Sequence, residues 1–208
     1  MNYEILLGFI LATAALSISP GPDNIFVLTQ SITNGKRYGL ATVAGLMTGC
    51  IIHTSLLAFG VSTLIKNNDT IFLIIKLFGV GYLLYLSYMV FKGGNEIHLG
   101  KSKVSKTGLI NLFKKGFIMN VLNPKVTIFF LAFFPGFLFS TTMNTIVQFY
   151  ILGFVFIAVS LMIFSTIAVL AGTISTYILK TPKAGWFLKW LQIVVFVGIA
   201  IYLLLSDK

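Results

Sequence analysis

The 208-residue chain carries little charge, and very little of that charge is acidic. It contains 5 Asp and Glu against 15 Lys and Arg, and charged residues make up 10% of the whole. A soluble globular protein typically has roughly 25% charged residues. Because 57% of the chain is hydrophobic, a water-soluble core cannot account for the composition. The composition excludes an ordinary soluble domain and predicts an integral membrane protein.

Cysteine is nearly absent as well, since Cys50 is the only one. A single cysteine excludes an intramolecular disulfide and implies no oxidising compartment. It also excludes an electron carrier that cycles through an internal disulfide. Cys50 is therefore expected to pack as a small apolar side chain.

Six long apolar segments fill most of the chain, and none shows the two-residue alternation of a transmembrane β-strand. They lie at about 5 to 30, 39 to 64, 70 to 91, 116 to 139, 146 to 172 and 187 to 205. A helix needs about 20 mostly apolar residues to cross the hydrocarbon layer, so six spans leave no room for a soluble domain. The start, Met1-Asn2-Tyr3-Glu4, lacks the basic stretch of a signal peptide, so the first segment is expected to remain as a span. The sequence predicts one all-α membrane domain over residues 1–208.

The net charge of +10 raises the question of a nucleic-acid partner, but the basic residues are placed as topology signals. Eleven of them lie in the first, third and fifth connections: Lys36, Arg37, Lys92, Lys101, Lys103, Lys106, Lys114, Lys115, Lys180, Lys183 and Lys189. The other side has only Lys66 and Lys208. The positive-inside rule then makes the odd connections cytoplasmic and places both termini outside. The charge predicts orientation, and no nucleic-acid partner is expected.

The third connection, about 92 to 115, is the longest, and it has Gly93-Gly94 before a run of lysines among polar residues. This composition fits a solvated linker or a lipid-binding or regulatory segment. The linker is the favoured interpretation.

Proline interrupts two of the six spans. The first contains Ser19-Pro20-Gly21-Pro22-Asp23-Asn24, and the fourth contains Asn123-Pro124-Lys125. Proline lacks an amide donor and clashes with the preceding turn, so each site should break its helix. Ser19 and Asn123 are good N-cap residues, and each precedes a proline that could occupy the first helical position. Each site is therefore predicted to start a half-helix.

The two breaks are related by a constant offset. Pro20 and Pro124 are 104 positions apart, and the same offset relates Ser19 to Asn123, Phe26 to Phe130 and Gly49 to Gly153. A repeat of three spans reverses its orientation in the second copy, which gives an inverted-topology pair. Repeat one would cover about 1–91 and repeat two about 116–208. Both breaks then fall at similar depth and can meet.

Two half-helix starts that meet near the membrane centre predict a site for an anionic group, because their amides and dipoles favour negative charge. Asp23 is the only acidic residue within a span, and Lys125 lies at similar depth. Together they suit a zwitterion, with its carboxylate at the amides and Lys125 and its ammonium at Asp23, which could also carry a coupling proton. The alternative is that the prolines only kink the helices and the two charges form a static ion pair. The functional interpretation is favoured.

Several motifs together resemble the LysE/RhtB family of amino-acid exporters, and their order covers essentially the whole chain. They are the Ser19 to Asn24 motif, Gly45-x-x-x-Gly49 with His53, Gly81-Tyr82-Leu83-Leu84-Tyr85-Leu86, and Asn123-Pro124-Lys125 followed by Phe129-Phe130-Leu131-Ala132-Phe133-Phe134-Pro135. The resemblance implies a bacterial plasma-membrane exporter of amino acids or related small metabolites, driven by the proton-motive force, with a homodimer as one option. The chain departs from the family pattern at Gly136 and near Gln192, outside the central motifs.

His53, near the middle of the second span, could relay protons because its charge changes near neutral pH. A neutral histidine hydrogen-bonded between helices is the favoured alternative. Gly45 and Gly49 are better explained by close helix packing than by binding. Lys76 is expected to extend to the membrane interface.

Two other functions fit the sequence less well. A divalent-cation exporter needs several oxygen, nitrogen or sulfur ligands together, and Asp23, His53 and Cys50 are a poor set. An intramembrane enzyme is not expected, because the chain has no HExxH or paired-aspartate signature and Ser55 is too close to His53 in sequence to indicate a catalytic pair. No cofactor or metal is predicted.

Overall fold

The computed structural model describes residues 2–61, 69–93, 108–181 and 183–205. Within these ranges the chain forms nine α-helices: α1 (Tyr3–Ile18), α2 (Pro22–Asn34), α3 (Lys36–Leu56), α4 (Asp69–Lys92), α5 (Leu109–Val121), α6 (Pro124–Phe133), α7 (Thr145–Val169), α8 (Ala171–Lys180) and α9 (Ala184–Leu205). A π-helical turn, Leu57–Val61, extends α3, and a 3-10 turn, Phe134–Phe137, extends α6.

Four segments of the described chain are single helices long and apolar enough to cross a membrane: Lys36–Gly60, Thr70–Lys92, Thr145–Val169 and Ala184–Leu205. Two further spans are bent pairs of helices: the chain bends by 58° between α1 and α2 and by 52° between α5 and α6. Counting each pair as one span gives six. The predicted all-α membrane fold, with breaks in the first and fourth spans, is confirmed.

The break in the first span lies two residues later than predicted. Ser19 closes α1 by donating its amide to the Ala15 carbonyl, and α2 begins at Pro22 with Gly21 as its N-cap. The prediction that Ser19 caps the second helix and that Pro20 begins it was wrong. A residue before proline is disfavoured in the helical region, so Gly21, which precedes Pro22, stays extended at φ −150° and ψ 177°.

The break in the fourth span agrees with the prediction. Asn123 is the N-cap of α6, and its side-chain oxygen accepts a hydrogen bond from the Lys125 amide at 3.0 Å. Pro124 occupies the first turn, where its missing amide costs no intrahelical bond.

Three connections differ from the predicted ones. A single residue, Gly35, joins α2 to α3, and its φ of 102° is a conformation that glycine adopts without strain. The fourth span starts at Leu109, earlier than expected, and α8 forms inside what was predicted to be the fifth connection. The predicted basic linker falls mostly on residues 94–107, and these lie outside the described residues, as do Lys66 and Lys208.

Glycines bring α3 and α5 into backbone contact. A methyl group on Gly45 would overlap the Phe113 carbonyl, and one on Gly116 would overlap the Thr42 carbonyl. Gly49, one turn further along α3, leaves room for the side chain of Asn120. The predicted role of Gly45 and Gly49 in close helix packing is confirmed, and this packing holds α3 against the helix that leads into the second break.

The two halves of the chain pack through corresponding helices. Contacts between halves include α3 against α7 and α4 against α9, which are the second and third spans of each half. Phenylalanine rings fill much of the core around α1 and α6: Phe9, Phe129, Phe130, Phe133, Phe134, Phe137 and Phe156. This pairing suits an inverted repeat, although the division of one domain into two repeats stays a prediction.

Candidate binding site at the two helix breaks

A cavity of about 50 Å³ lies where the two breaks meet. Six of the residues predicted to form a site line it: Gly21, Pro22, Asp23, Asn24, Asn123 and Lys125. A single water molecule needs roughly 10 to 15 Å³ on this measure, so the cavity has room for a few small groups. The structure thus brings the two motifs, about 100 residues apart, to one place.

Asn123 joins the two breaks directly. Its side-chain nitrogen donates to an oxygen of the Asp23 carboxylate at 3.1 Å, while its side-chain oxygen caps α6. Asn123, rather than Lys125, is therefore the direct hydrogen-bond partner of Asp23, and the fixed amide of a helix cap orients the carboxylate.

Lys125 places its ammonium close to the start of α2. The Lys125 Nζ lies 3.4 Å from the position that a Cβ on Gly21 would occupy. It also lies 4.9 Å from the centroid of the Phe196 ring, so α9 supports the charge through a cation–π contact. The ammonium is held beside the N-terminus of α2, and both attract an anion.

The amides available to an anion belong to α2. Its first intrahelical bond runs from the Ile25 amide to the Gly21 carbonyl, and Gly21 has no side chain to cap the amides of Asp23 and Asn24. At α6 the Lys125 amide is capped by Asn123, and the next two amides bond to the Asn123 carbonyl. The prediction that both half-helices offer amides to an anion is therefore wrong for α6, because its own N-cap occupies them.

A polar side chain also secures the helix that ends at each break. Asn24 donates its side-chain amide to the Ser17 carbonyl at 2.7 Å. His53 donates its Nε2 proton to the Asn120 carbonyl at 3.1 Å, and the Asn123 amide bonds the same oxygen at 3.0 Å. These bonds satisfy carbonyls that a helix end would otherwise leave without a partner.

The remaining predicted residues lie off the cavity wall. His53, on α3, is buried against the end of α5, and its ring centroid lies 5.4 Å from that of Phe130. Its hydrogen bond to the Asn120 carbonyl corresponds to the favoured alternative to a proton relay, a histidine hydrogen-bonded between helices. Pro20 and Pro124 shape the breaks. Ser19 is fully buried, and its hydroxyl has no hydrogen-bond partner among the described residues.

Three polar residues of the cavity were not singled out from the sequence. Ser17 and Ser160 line it with their hydroxyl oxygens 2.9 Å apart, and the side chain of Asn120 accepts a hydrogen bond from the buried Cys50 thiol. Asn120 lies three residues before Asn123, so its closeness to the predicted break could have indicated it. Nothing in the sequence links Ser17 to Ser160, which are 143 positions apart.

Over the ranges that the structure describes, no group of three or more His, Cys, Asp or Glu side chains is placed to hold a metal ion.

Comparison with known proteins agrees with the resemblance drawn from the motifs. The family model described as LysE type translocator matches residues 14–207. The chain is 34% identical over 184 residues to proteins of Salmonella typhimurium and Salmonella typhi, each named a homoserine/homoserine lactone efflux protein. Each alignment covers 88% of this chain and 87% of the relative. No solved structure matches the chain significantly. With a family match over nearly its whole length, the chain belongs to the LysE type translocator family.

Proposed function

We propose that this chain is a multi-pass exporter of amino acids or related small metabolites in the bacterial inner membrane. The observation that carries the proposal is the cavity at the two breaks, where a carboxylate, an ammonium and the start of a helix converge. Charged groups within a membrane span are costly, and they are retained where they serve a ligand or an ion pathway.

The groups around the cavity suit the two charges of an amino acid. Its carboxylate would bind the amides at the start of α2 and the Lys125 ammonium beside them. Its ammonium would bind the Asp23 carboxylate, which still has acceptor capacity beyond its bond from Asn123. The site therefore favours zwitterions over simple anions or cations.

The relatives support a small amino-acid-derived cargo. Both Salmonella proteins are named for efflux of homoserine and its lactone, and they align with this chain over most of their length.

Energy for export would come from the proton-motive force, with Asp23 as the coupling group. A proton and the substrate ammonium compete for the same carboxylate, so the site holds one or the other. Exchange of the two on alternate sides of the membrane gives antiport, and rocking of one half against the other about the breaks would expose the site to each side in turn.

The basic residues give the proposed orientation. Lys36 and Arg37 start α3, and Lys114 and Lys115 lie midway along α5, in the first part of the fourth span. By the positive-inside rule these ends face the cytoplasm, with both termini outside.

Efflux of a labelled panel tests the function. Cells that express the protein and matched cells that lack it are loaded with individual labelled amino acids, and the rate of loss is followed. At least one small zwitterionic amino acid should leave faster with the protein, and a protonophore that collapses the proton gradient should abolish the difference. If no amino acid leaves faster, the proposed function is wrong; if export persists without the gradient, only the coupling is wrong.

A further inference from the structure

A pair of serine hydroxyls forms a second polar feature of the cavity. Ser17 lies at the end of α1 and Ser160 in the middle of α7, and both side chains are buried, with 5% and 1% of their surfaces exposed. Their oxygens are 2.9 Å apart, and both residues line the cavity. The mechanism proposed for the charged groups makes no use of this pair.

The pair has one hydroxyl proton more than the hydrogen bond between the two residues needs. Two hydroxyls carry two protons, and only one can lie in the bond between them. Several hydroxyls on α3 and α7 donate to the carbonyl four residues back, as Thr42, Thr48, Thr54, Ser55 and Thr166 do. Within the part of the chain that the structure describes, neither Ser17 nor Ser160 makes such a bond. One buried donor therefore remains for a group in the cavity, and leaving it unbonded would be unfavourable.

The surroundings of the pair favour a ligand over further protein contacts. Much of the remaining wall is apolar, including Met47, Phe129, Phe156 and Phe164. Ser17 is also tied to the charged end of the cavity, because its carbonyl accepts the side-chain amide of Asn24, the residue after Asp23. A short side chain on a substrate bound at Asp23 and Lys125 would lie between the apolar wall and the spare hydroxyl.

We infer that Ser17 and Ser160 form the subsite that binds the substrate's side chain by a hydrogen bond. The protein then prefers small amino acids whose side chain carries an oxygen. This inference rests on the proposed function and adds to it a determinant of specificity. A site built around a hydrogen-bond donor discriminates against an isosteric methyl group, because the buried donor would then lose its partner.

Isosteric substrate pairs test the inference. Threonine and valine differ by a hydroxyl in place of a methyl group, as do homoserine and norvaline. Efflux of each is measured from cells expressing the intact protein and the variant Ser17→Ala/Ser160→Ala. The intact protein should prefer the oxygen-bearing member by roughly three- to tenfold, the size expected of one hydrogen bond. The double variant should export both members at similar rates, because no buried hydroxyl is left to favour the oxygen-bearing member or to disfavour the apolar one.

Ser55→Ala is the matched control. Ser55 on α3 pairs with the Tyr150 hydroxyl on α7 at 3.0 Å, so this variant also removes a hydroxyl pair between helices, and neither residue lines the cavity. It should keep the preference of the intact protein. Retained export of valine or norvaline shows that the double variant is folded, and its amount and thermal unfolding in detergent provide a second check.

Each outcome decides a separate point. Equal export of both members by the intact protein, or an unchanged preference in the double variant, overturns the subsite and leaves the proposed function standing. Loss of preference in Ser55→Ala as well would also overturn it, because the effect would then be one of general packing. A double variant that does not fold is replaced by Ser160→Ala alone, which must lower the preference. Export of no amino acid at all rejects the proposed function and the subsite with it.

Discussion

Asn123 holds the carboxylate of Asp23 at 3.1 Å across the 100 residues that separate them in the chain. The same side chain caps α6. One amide therefore stabilises the second break and orients the acidic group of the first. Because different atoms of the Asn123 side chain cap α6 and bind Asp23, the two roles can be separated by mutation.

Asn123→Ser should retain stability and lose transport. Serine is a good N-cap, so it preserves the cap of α6, but it cannot also reach Asp23 as the amide does. Asn123→Ala loses both interactions and should unfold more readily, by about 1 kcal/mol for the cap. Unfolding midpoints in detergent and efflux rates separate the two effects. Normal transport by a stable Asn123→Ser would show that the bond to Asp23 is dispensable.

Lys125→Met should weaken substrate binding. It removes the ammonium beside the start of α2 while keeping a long apolar stem, so the KM for a zwitterion should rise about tenfold or more. Lys115→Met is the matched control, because Lys115 also places its Nζ 4.9 Å from a phenylalanine ring, that of Phe26, but does not line the cavity. Equal KM changes in the two variants would argue against a binding role for Lys125.

His53→Gln tests whether the histidine supports structure or relays protons. Glutamine can still donate to the Asn120 carbonyl, whereas it cannot titrate. Since His53 lies off the cavity wall, transport and its pH profile should remain close to those of the intact protein. A folded variant whose transport no longer responds to pH would assign His53 to the proton pathway instead.

Gly45→Ala should destabilise the protein through the contact between α3 and α5. Its methyl group would overlap the backbone carbonyl of Phe113, and backbone cannot move aside as a side chain can. We expect a loss of about 1–3 kcal/mol in the free energy of unfolding. Gly81→Ala on α4 is the control, since a methyl group there meets open space. The control should be at least as stable as the intact protein, because alanine favours helix.

The membrane class and both helix breaks could be predicted from sequence because they depend on local properties. Long apolar segments require burial in lipid, and Pro22 and Pro124 cannot continue a helix through their own positions. The start of α2 was misplaced because two prolines compete for it, and only the restraint that Pro22 places on Gly21 decides between them.

The cavity could be predicted only in part. Asp23 and Lys125 stand out in a sequence with few buried charges. The Ser17–Ser160 pair does not, because an uncharged serine carries no comparable signal and the contact depends on how α1 packs against α7. The α6 amides are not available for a related reason: the side-chain oxygen of Asn123 caps the helix that it begins, while its side-chain nitrogen donates to Asp23 at the other break.

Transport by Asp23→Asn in proteoliposomes tests whether the Asp23 carboxylate binds the substrate and couples export to protons. The purified protein is reconstituted, a pH gradient is imposed, and movement of the amino acid identified by the efflux panel is followed. Asparagine keeps the size of the side chain but neither carries the negative charge for the substrate ammonium nor binds the coupling proton. Glu4→Gln, in the exposed first turn of α1, is the control and should transport normally. We expect gradient-driven transport by the intact protein and by Glu4→Gln and none by a folded Asp23→Asn; normal gradient-driven transport by Asp23→Asn would show that this carboxylate neither binds the substrate nor couples export to protons.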